Sequence, residues 1–400
     1  MQKFTPTEYL KIDIASNFGL EKELWEDRLS WFDQNESTLE NMVKEAEEPA
    51  LFYAGVNAYR TAMQGKAIAY PVGLDATASG AQLLALLIGC EKSAKLCNVI
   101  NTGKREDFYT RIYEFMCGRT GAVAKIDRDD IKDAVMPSFY GSEASPKRVF
   151  GEGDLLDTFF ETMEEEAPGL WALNQALLGL WQPENMSHDW IMPDNFHVHV
   201  KVMDNEYTDI HFLERPYEVV SKVNRPMQEG RSIGANTIHS LDGMVVREVL
   251  RRCYWKADTI EMQLLCHAGF HSDSKPDDNT PNAKMVITLA KHYERTGFLS
   301  ARILDHIDEN SVQFAPKQAV WDLIQTLPAN PFPVLTVHDR FSVHPNYAND
   351  LRAQYNQILS ELAASTLLSD IASQIVGEEV EVEKLTDFSK EVLDAEYALS

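Results

Sequence analysis

The chain has 400 residues and carries 62 Asp and Glu against 37 Lys and Arg, a formal net charge of −25. That length exceeds what one compact core usually holds, so two or more lobes are expected; so acidic a balance reads first as solubility and counts against a protein that grips phosphate backbones, although a local cationic cleft, a bound cation or a basic partner can work inside an acidic surface. Met1 to Gly19 is unlike a cleaved leader, no run is long and apolar enough to cross a bilayer, and Cys90, Cys97, Cys117, Cys253 and Cys266 lack the paired spacing of a disulfide framework or zinc site. The cysteines read as reduced core thiols in a cytoplasm.

Trp25, Leu29 and Phe32 recur at helical spacing, and Leu39, Met42, Val43 and Ala46 do so after a cap near Ser37. The first fifty residues are therefore expected to be amphipathic helices, and Pro49 opens another. Residues 67–74 have the character of a short buried strand ended by Asp75, 75–80 of a turn, and 81–88 of an apolar helix. Helices are predicted over 130–140 and 167–181, with acidic connections such as 161–166 between them. Residues 196–202 alternate like a strand, turn at Asp204 and Asn205, and return through 208–213. A helix over 243–252 precedes a polar loop or insertion over 267–281. Residues 334–337 and 341–343 predict a β-hairpin with His338 and Asp339 at its tip. A long helix follows, with Leu351, Tyr355, Ile358, Leu359 and Leu362 on one face. There is no internal repeat and no low-complexity segment.

Arg128, Lys132, Met136 and Tyr140 are spaced four apart, and on a helix each step drifts only about 40° around the axis. Two cations and a phenol in a row suit a triphosphate, with Arg and Lys on the phosphates and Tyr beside the sugar and base. A solvated charged face with a buried Tyr gives the same spacing. Asp75 and Asp339 each stand where a strand ends or turns, a place where an acid is usually a cap. Magnesium, however, is held by one or two carboxylates plus substrate phosphates, and nucleotidyl transfer uses two such ions. His267, His271 and Asp273, with the two His four apart, form a separate candidate metal site.

Three segments, in order, resemble motifs A, B and C of the single-subunit RNA polymerases of phages and mitochondria. They are Gly73 through Gln82, containing Asp75; Arg128 through Lys132 with Met136 to Tyr140 and Gly141; and Val337-His338-Asp339-Arg340-Phe341. His239-Ser240-Leu241-Asp242-Gly243 is similar to the segment before motif C, and Tyr9 to Ile12 to the palm segment before motif A. The resemblance implies an α+β, predominantly helical, right-hand polymerase fold. Residues 1–104 would form the first part of the palm and 105–239 the fingers. Residues 240–400 would complete the palm, with an insertion near 253–330, motif C and a carboxyl-terminal helix.

The same resemblance implies that Asp75 and Asp339 bind two Mg2+ ions, with the Ala76 carbonyl as a further backbone ligand. Arg128 and Lys132 would hold the incoming ribonucleoside triphosphate, Lys132 also acting as proton donor to pyrophosphate. Tyr140 and His239 would monitor the sugar edge. A DNA template and an RNA transcript are the implied partners. The family A DNA polymerases share the Lys, Tyr-Gly and His-Asp features but carry a glutamate five residues after the metal aspartate, where this chain has Gly80; the missing side chain leaves room for a ribose 2′ hydroxyl. Three features depart from the family pattern: Pro137 inside the motif B helix, where it would bend the helix before Tyr140; Arg340 after the motif C aspartate; and the long stretch between Asp242 and Asp339. On this resemblance the thumb and amino-terminal domain are expected to lie outside this chain, as in the larger subunit of the two-subunit RNA polymerase of N-four-type podophages, which it resembles. A second subunit would then supply those parts in the cytoplasm of an infected bacterial cell. The alternatives are a family A-like DNA polymerase fragment and an inactive polymerase-like subunit that binds nucleic acid.

Overall fold

The computed structural model describes residues 1–120, 126–258, 260, 261, 264 and 276–400. Its strands, among the described residues, are β1 (Val72–Asp75), β2 (Ser187–Ile191), β3 (His197–Lys201), β4 (Met203–Phe212), β5 (Arg215–Asn224), β6 (Leu335–Val337) and β7 (Arg340–Val343); the remaining regular structure is helical. The protein is therefore α+β and predominantly helical. No helix among the described residues is long and apolar enough to cross a membrane.

The helix Pro6–Ala15 begins where its sequence dictates. Thr5 and Glu8 form a reciprocal capping box, and Pro6 sits in the first turn, where its missing N–H costs nothing. It buries Tyr9, Leu10, Ile12 and Ile14 against the helices Trp25–Asn35 and Pro49–Met63 and against β1. β1 is the edge strand of an antiparallel sheet of order β1-β7-β6. Val72 and Leu74 point into the core while Asp75 turns outward, so the strand is half-buried by alternation. One contiguous core runs from Phe4 to Leu399.

A second, smaller core gathers Val286, Leu289, Ile303, Val320 and Leu323. It is tied to the helix Ser232–Cys253 by buried charge. Glu248, fully buried, accepts hydrogen bonds from the Ser300 hydroxyl and from the Ala301 N–H (2.9 Å), and pairs with Arg251 at 3.2 Å and Arg252 at 3.5 Å. The same helix holds the buried Asp194 through Arg247 and Arg251. A buried carboxylate left without its partner is expensive, so this network fixes where the second core sits.

Three local expectations are corrected. Residues 37–46 form only a single turn, Leu39–Asn41, because the Glu47 and Glu48 amides donate to the carbonyls of Phe18 and Asn17 instead of continuing a helix. The acidic stretch 161–166 is not a connection but the end of the helix Asp154–Glu166, which buries Phe159 and Met163 and turns Glu161 and Glu165 toward Arg119. The expected hairpin over 196–213 is in fact two pairings. β3 joins β2, and β4 runs through Asp204 and Asn205 to a turn at Leu213 and Glu214, after which β5 returns along its whole length. Leu213 and Glu214 have φ of 49° and 61°, the two positive values a tight hairpin turn requires, supplied here by residues that do not advertise it.

Candidate active site

Two short backbone devices present the two aspartates. β6 and β7 are joined by a two-residue turn of His338, at φ 54°, and Asp339. After β1 the chain reverses through Ala78, at φ 60°, into the helix Ser79–Ile88. A left-handed residue other than glycine costs roughly 1–2 kcal/mol, and such outliers concentrate where geometry matters more than ease.

The antiparallel register sets Asp75 opposite Arg340, and the next rung links the Ala76 N–H to the Asp339 carbonyl at 3.2 Å. Asp75 and Asp339 therefore meet at one end of the sheet. The outer edge of β1 is equally fixed. The Gly73 N–H donates to Asp13 Oδ1 (2.8 Å), the Asp75 N–H to the Ser400 carbonyl (3.2 Å) and the Thr77 N–H to the Ala398 carbonyl (3.2 Å). Gln82, wholly buried, donates to the Ala398 carbonyl and accepts from the Tyr355 hydroxyl, clamping the same segment from the helix side.

A cavity of about 230 Å³ opens on the Asp75 side, and Ala76, Arg105, Asp107, Tyr109, Arg128, Lys132 and Ser400 are among its lining. Arg128 opens the helix Arg128–Phe139 and is held by Asp107 at 2.6 Å, with its Nε also donating to Asp107 at 2.8 Å and to Thr110 at 3.2 Å. Burial works against the charge of Asp107, but the Arg128 guanidinium outweighs it and holds the carboxyl below its usual range. Lys132, one turn on, is exposed and forms no ion pair among the described residues.

A larger cavity, about 600 Å³, opens on the Asp339 side and is lined by Ser79, Met136, Tyr140, His239, Asp242, His338 and Asp339, with apolar neighbours. Pro137 lies inside the helix, which runs through it to Phe139. Tyr140 caps that helix, its N–H donating to the Pro137 carbonyl. Tyr140 and His239 meet edge to face with centroids 5.0 Å apart. Although the Asp75 side chain is half-exposed, its partial desolvation at the cavity wall, reinforced by the charge of Asp339, raises the carboxyl above its ordinary range against the pull of Arg340. Burial likewise pushes Asp242 up to about 7, against a hydrogen bond from Ser79 and with the charge of Asp339 adding to it.

The site residues expected from the family resemblance thus gather around one apex: Asp75, Ala76, Arg128 and Lys132 on one side, Tyr140, His239 and Asp339 on the other. His267, His271 and Asp273 lie outside the described residues. Asp107, Tyr109 and Asp242 join the site without having been expected there from the sequence. Asp242 stands in a segment already singled out, whereas Asp107 and Tyr109 carry no spacing that marks them.

The donor set fits magnesium: two carboxylates are hard oxygen ligands suited to an ion that takes its remaining oxygens from water and substrate. Among the described residues no group of three or more His, Cys, Asp or Glu lies together as a metal-holding cluster.

Residues 5–165 match the family model described as DNA-dependent RNA polymerase. Over 118 residues the chain is 32% identical to a probable DNA-directed RNA polymerase of Podospora anserina, an alignment that covers 26% of this chain and 12% of that protein. The chain therefore spans a small part of the length of the curated relative it matches. Through the segment that carries Asp75, Arg128, Lys132 and Tyr140, it is similar to DNA-dependent RNA polymerases.

Proposed function

We propose that this chain is the catalytic part of a DNA-directed RNA polymerase that adds ribonucleotides to a transcript by a two-magnesium mechanism. The observation that carries the proposal is the pairing of β1 with β7, which brings Asp75 and Asp339 together between a cavity bearing Arg128 and Lys132 and one bearing Tyr140 and His239. The family match over residues 5–165 supports the same reading.

Asp75 and Asp339 would hold the two ions, with the Ala76 carbonyl as a backbone ligand. Bound there, Mg2+ supplies activation of the 3′ hydroxyl and charge neutralisation at the leaving pyrophosphate. Arg128, aimed by Asp107, and Lys132 bind the triphosphate, and Lys132 delivers a proton to the departing pyrophosphate. Tyr140, braced by the His239 ring, sits against the sugar edge. Gly80 favours ribonucleotides, since nothing larger than hydrogen projects from it toward the Tyr140 hydroxyl. In this reading residues 1–104 and 240–400 are the palm and 105–239 the fingers. A second subunit, as in the two-subunit phage enzymes, supplies the thumb and amino-terminal domain.

The test is extension of an RNA primer on a DNA template with Mg2+, using chain purified together with its partners, with ribonucleotides and deoxynucleotides compared. Ribonucleotide addition that disappears in Asp339→Ala is expected. A preference for deoxynucleotides would move the chain to the DNA polymerases, and no addition from a complex that contains a thumb and an amino-terminal domain would identify an inactive subunit.

A further inference from the structure

Asp75 faces a cation from its own sheet. Arg340 Nη1 lies 3.3 Å from Asp75 Oδ2, across the rung that pairs the two residues. The guanidinium reaches that position by lying over Gly73. A Cβ on Gly73 would fall 2.4 Å from Arg340 Nη2, 2.6 Å from Nε and 2.8 Å from Cζ, so only a bare Cα leaves room for the planar group. Also close to Arg340 is Asp13, 3% exposed. Its Oδ1 accepts from the Gly73 N–H (2.8 Å), and its Oδ2 accepts from the Tyr70 hydroxyl (2.7 Å) and Asn17 Nδ2 (3.0 Å). Arg340 is thus placed by the strand register, a side-chain-free neighbour and two carboxylates, one buried and one half-exposed.

This arrangement has a cost for any divalent ion at Asp75. An oxygen bonded to a guanidinium must exchange that bond for the metal, and a fixed positive charge beside the site repels a second one. We propose that Arg340 is a resident counter-cation of Asp75, releasing it when a divalent metal binds and so keeping metal affinity lower than the two aspartates alone would set it. The inference rests on the reading of Asp75 as a metal ligand. In the free protein Arg340 offsets the repulsion between Asp75 and Asp339; on loading, its guanidinium is freed toward the phosphates that approach the same apex.

The test uses Mn2+ as the probe. The full chain is titrated, free Mn2+ is followed by its electron paramagnetic resonance signal, and folding of each variant is checked by circular dichroism. Arg340→Ser is expected to bind Mn2+ about fivefold more tightly than wild type, the upper end for releasing an exposed ion pair. Arg340→Lys, which keeps the charge, should stay within about twofold. Gly73→Ala provides an independent variant that changes no charge and only displaces the guanidinium. It should tighten binding in the same direction as Arg340→Ser. Equal or weaker binding by Arg340→Ser, with Asp75→Asn still abolishing the site, would overturn this inference alone. Wild-type binding that does not depend on Asp75, or no binding, would overturn the metal-ligand reading and this inference with it.

Discussion

Gly80 offers the sharpest test of substrate choice. It is buried at the start of the helix Ser79–Ile88, and a Cβ there would meet Ile238 Cγ2 at 3.4 Å and the Tyr140 hydroxyl at 3.6 Å, both ordinary contact distances. The protein by itself therefore has room for alanine, which is worth roughly 0.5–1 kcal/mol over glycine in a helix. Gly80→Ala should raise stability by about that amount in chemical denaturation. The chain forgoes this gain, and the direction left open leads to Tyr140 and the cavity it shares with His239. A glutamate at the same position would extend past the Tyr140 hydroxyl into the space assigned to the ribose 2′ oxygen. Gly80→Glu should lower kcat/KM for ribonucleotides about 100-fold, at the scale of strong steric discrimination, and for deoxynucleotides by less than about tenfold. Single-nucleotide extension with each substrate measures the ratio. Ribonucleotide kcat/KM within about threefold of wild type in Gly80→Glu, or a destabilised Gly80→Ala, would refute this role of Gly80.

Asp75→Asn and Asp339→Asn should each cut nucleotide addition by at least about 1000-fold with unchanged circular dichroism; near-normal extension by either would remove the two-metal assignment. Lys132→Ala should reduce kcat about 100-fold while shifting stability by less than about 0.5 kcal/mol, because that side chain is exposed and unpaired among the described residues; an unchanged kcat would end its role as proton donor. Asp13 supplies a pH prediction. Burial raises its carboxyl from 3.8 to about 6, against the hydrogen bonds from Gly73 and Tyr70, so the folded chain holds a proton that the unfolded chain releases. Its contribution is full below about pH 4 and is lost as pH rises through 6, roughly 3 kcal/mol in all. Denaturation at pH 4 and pH 7.5 should show that loss in wild type relative to Asp13→Asn, and parallel behaviour of the two proteins would refute it.

Much of the site was legible because its chemistry is carried by residue type at fixed spacing. Arg128, Lys132 and Tyr140 lie along and at the end of one helix, as a four-residue interval requires, and the His338–Asp339 turn falls where the apolar runs around it predict. Asp107 was not legible, since its importance comes from reaching Arg128 across a fold that only tertiary contacts define. The β4–β5 register is hidden in the sequence because Asp204 and Asn205, typical turn residues, are spent inside a strand, where Asp204 pairs with Arg225 at 2.6 Å. Residues 37–46 misled for another reason: apolar periodicity is satisfied by a buried Leu39 and its neighbours even when the backbone amides beyond them bond elsewhere.

The meeting of β1 with β7 also sets a timetable. Asp75 and Arg340 are 265 residues apart, so at about 5–20 residues per second a nascent chain waits roughly 13 to 53 seconds between making one strand and making its partner. Throughout that interval Val72 and Leu74 lack the cover they have in the finished sheet, and the strand edge later taken by β7 stands open to any other extended segment. The Ala398–Ser400 segment that closes the opposite edge arrives later still. The yield of active protein should accordingly depend on what shields residues 72–75 during synthesis, and slower growth at low temperature or added chaperone should raise it more than any substitution that stabilises the completed fold.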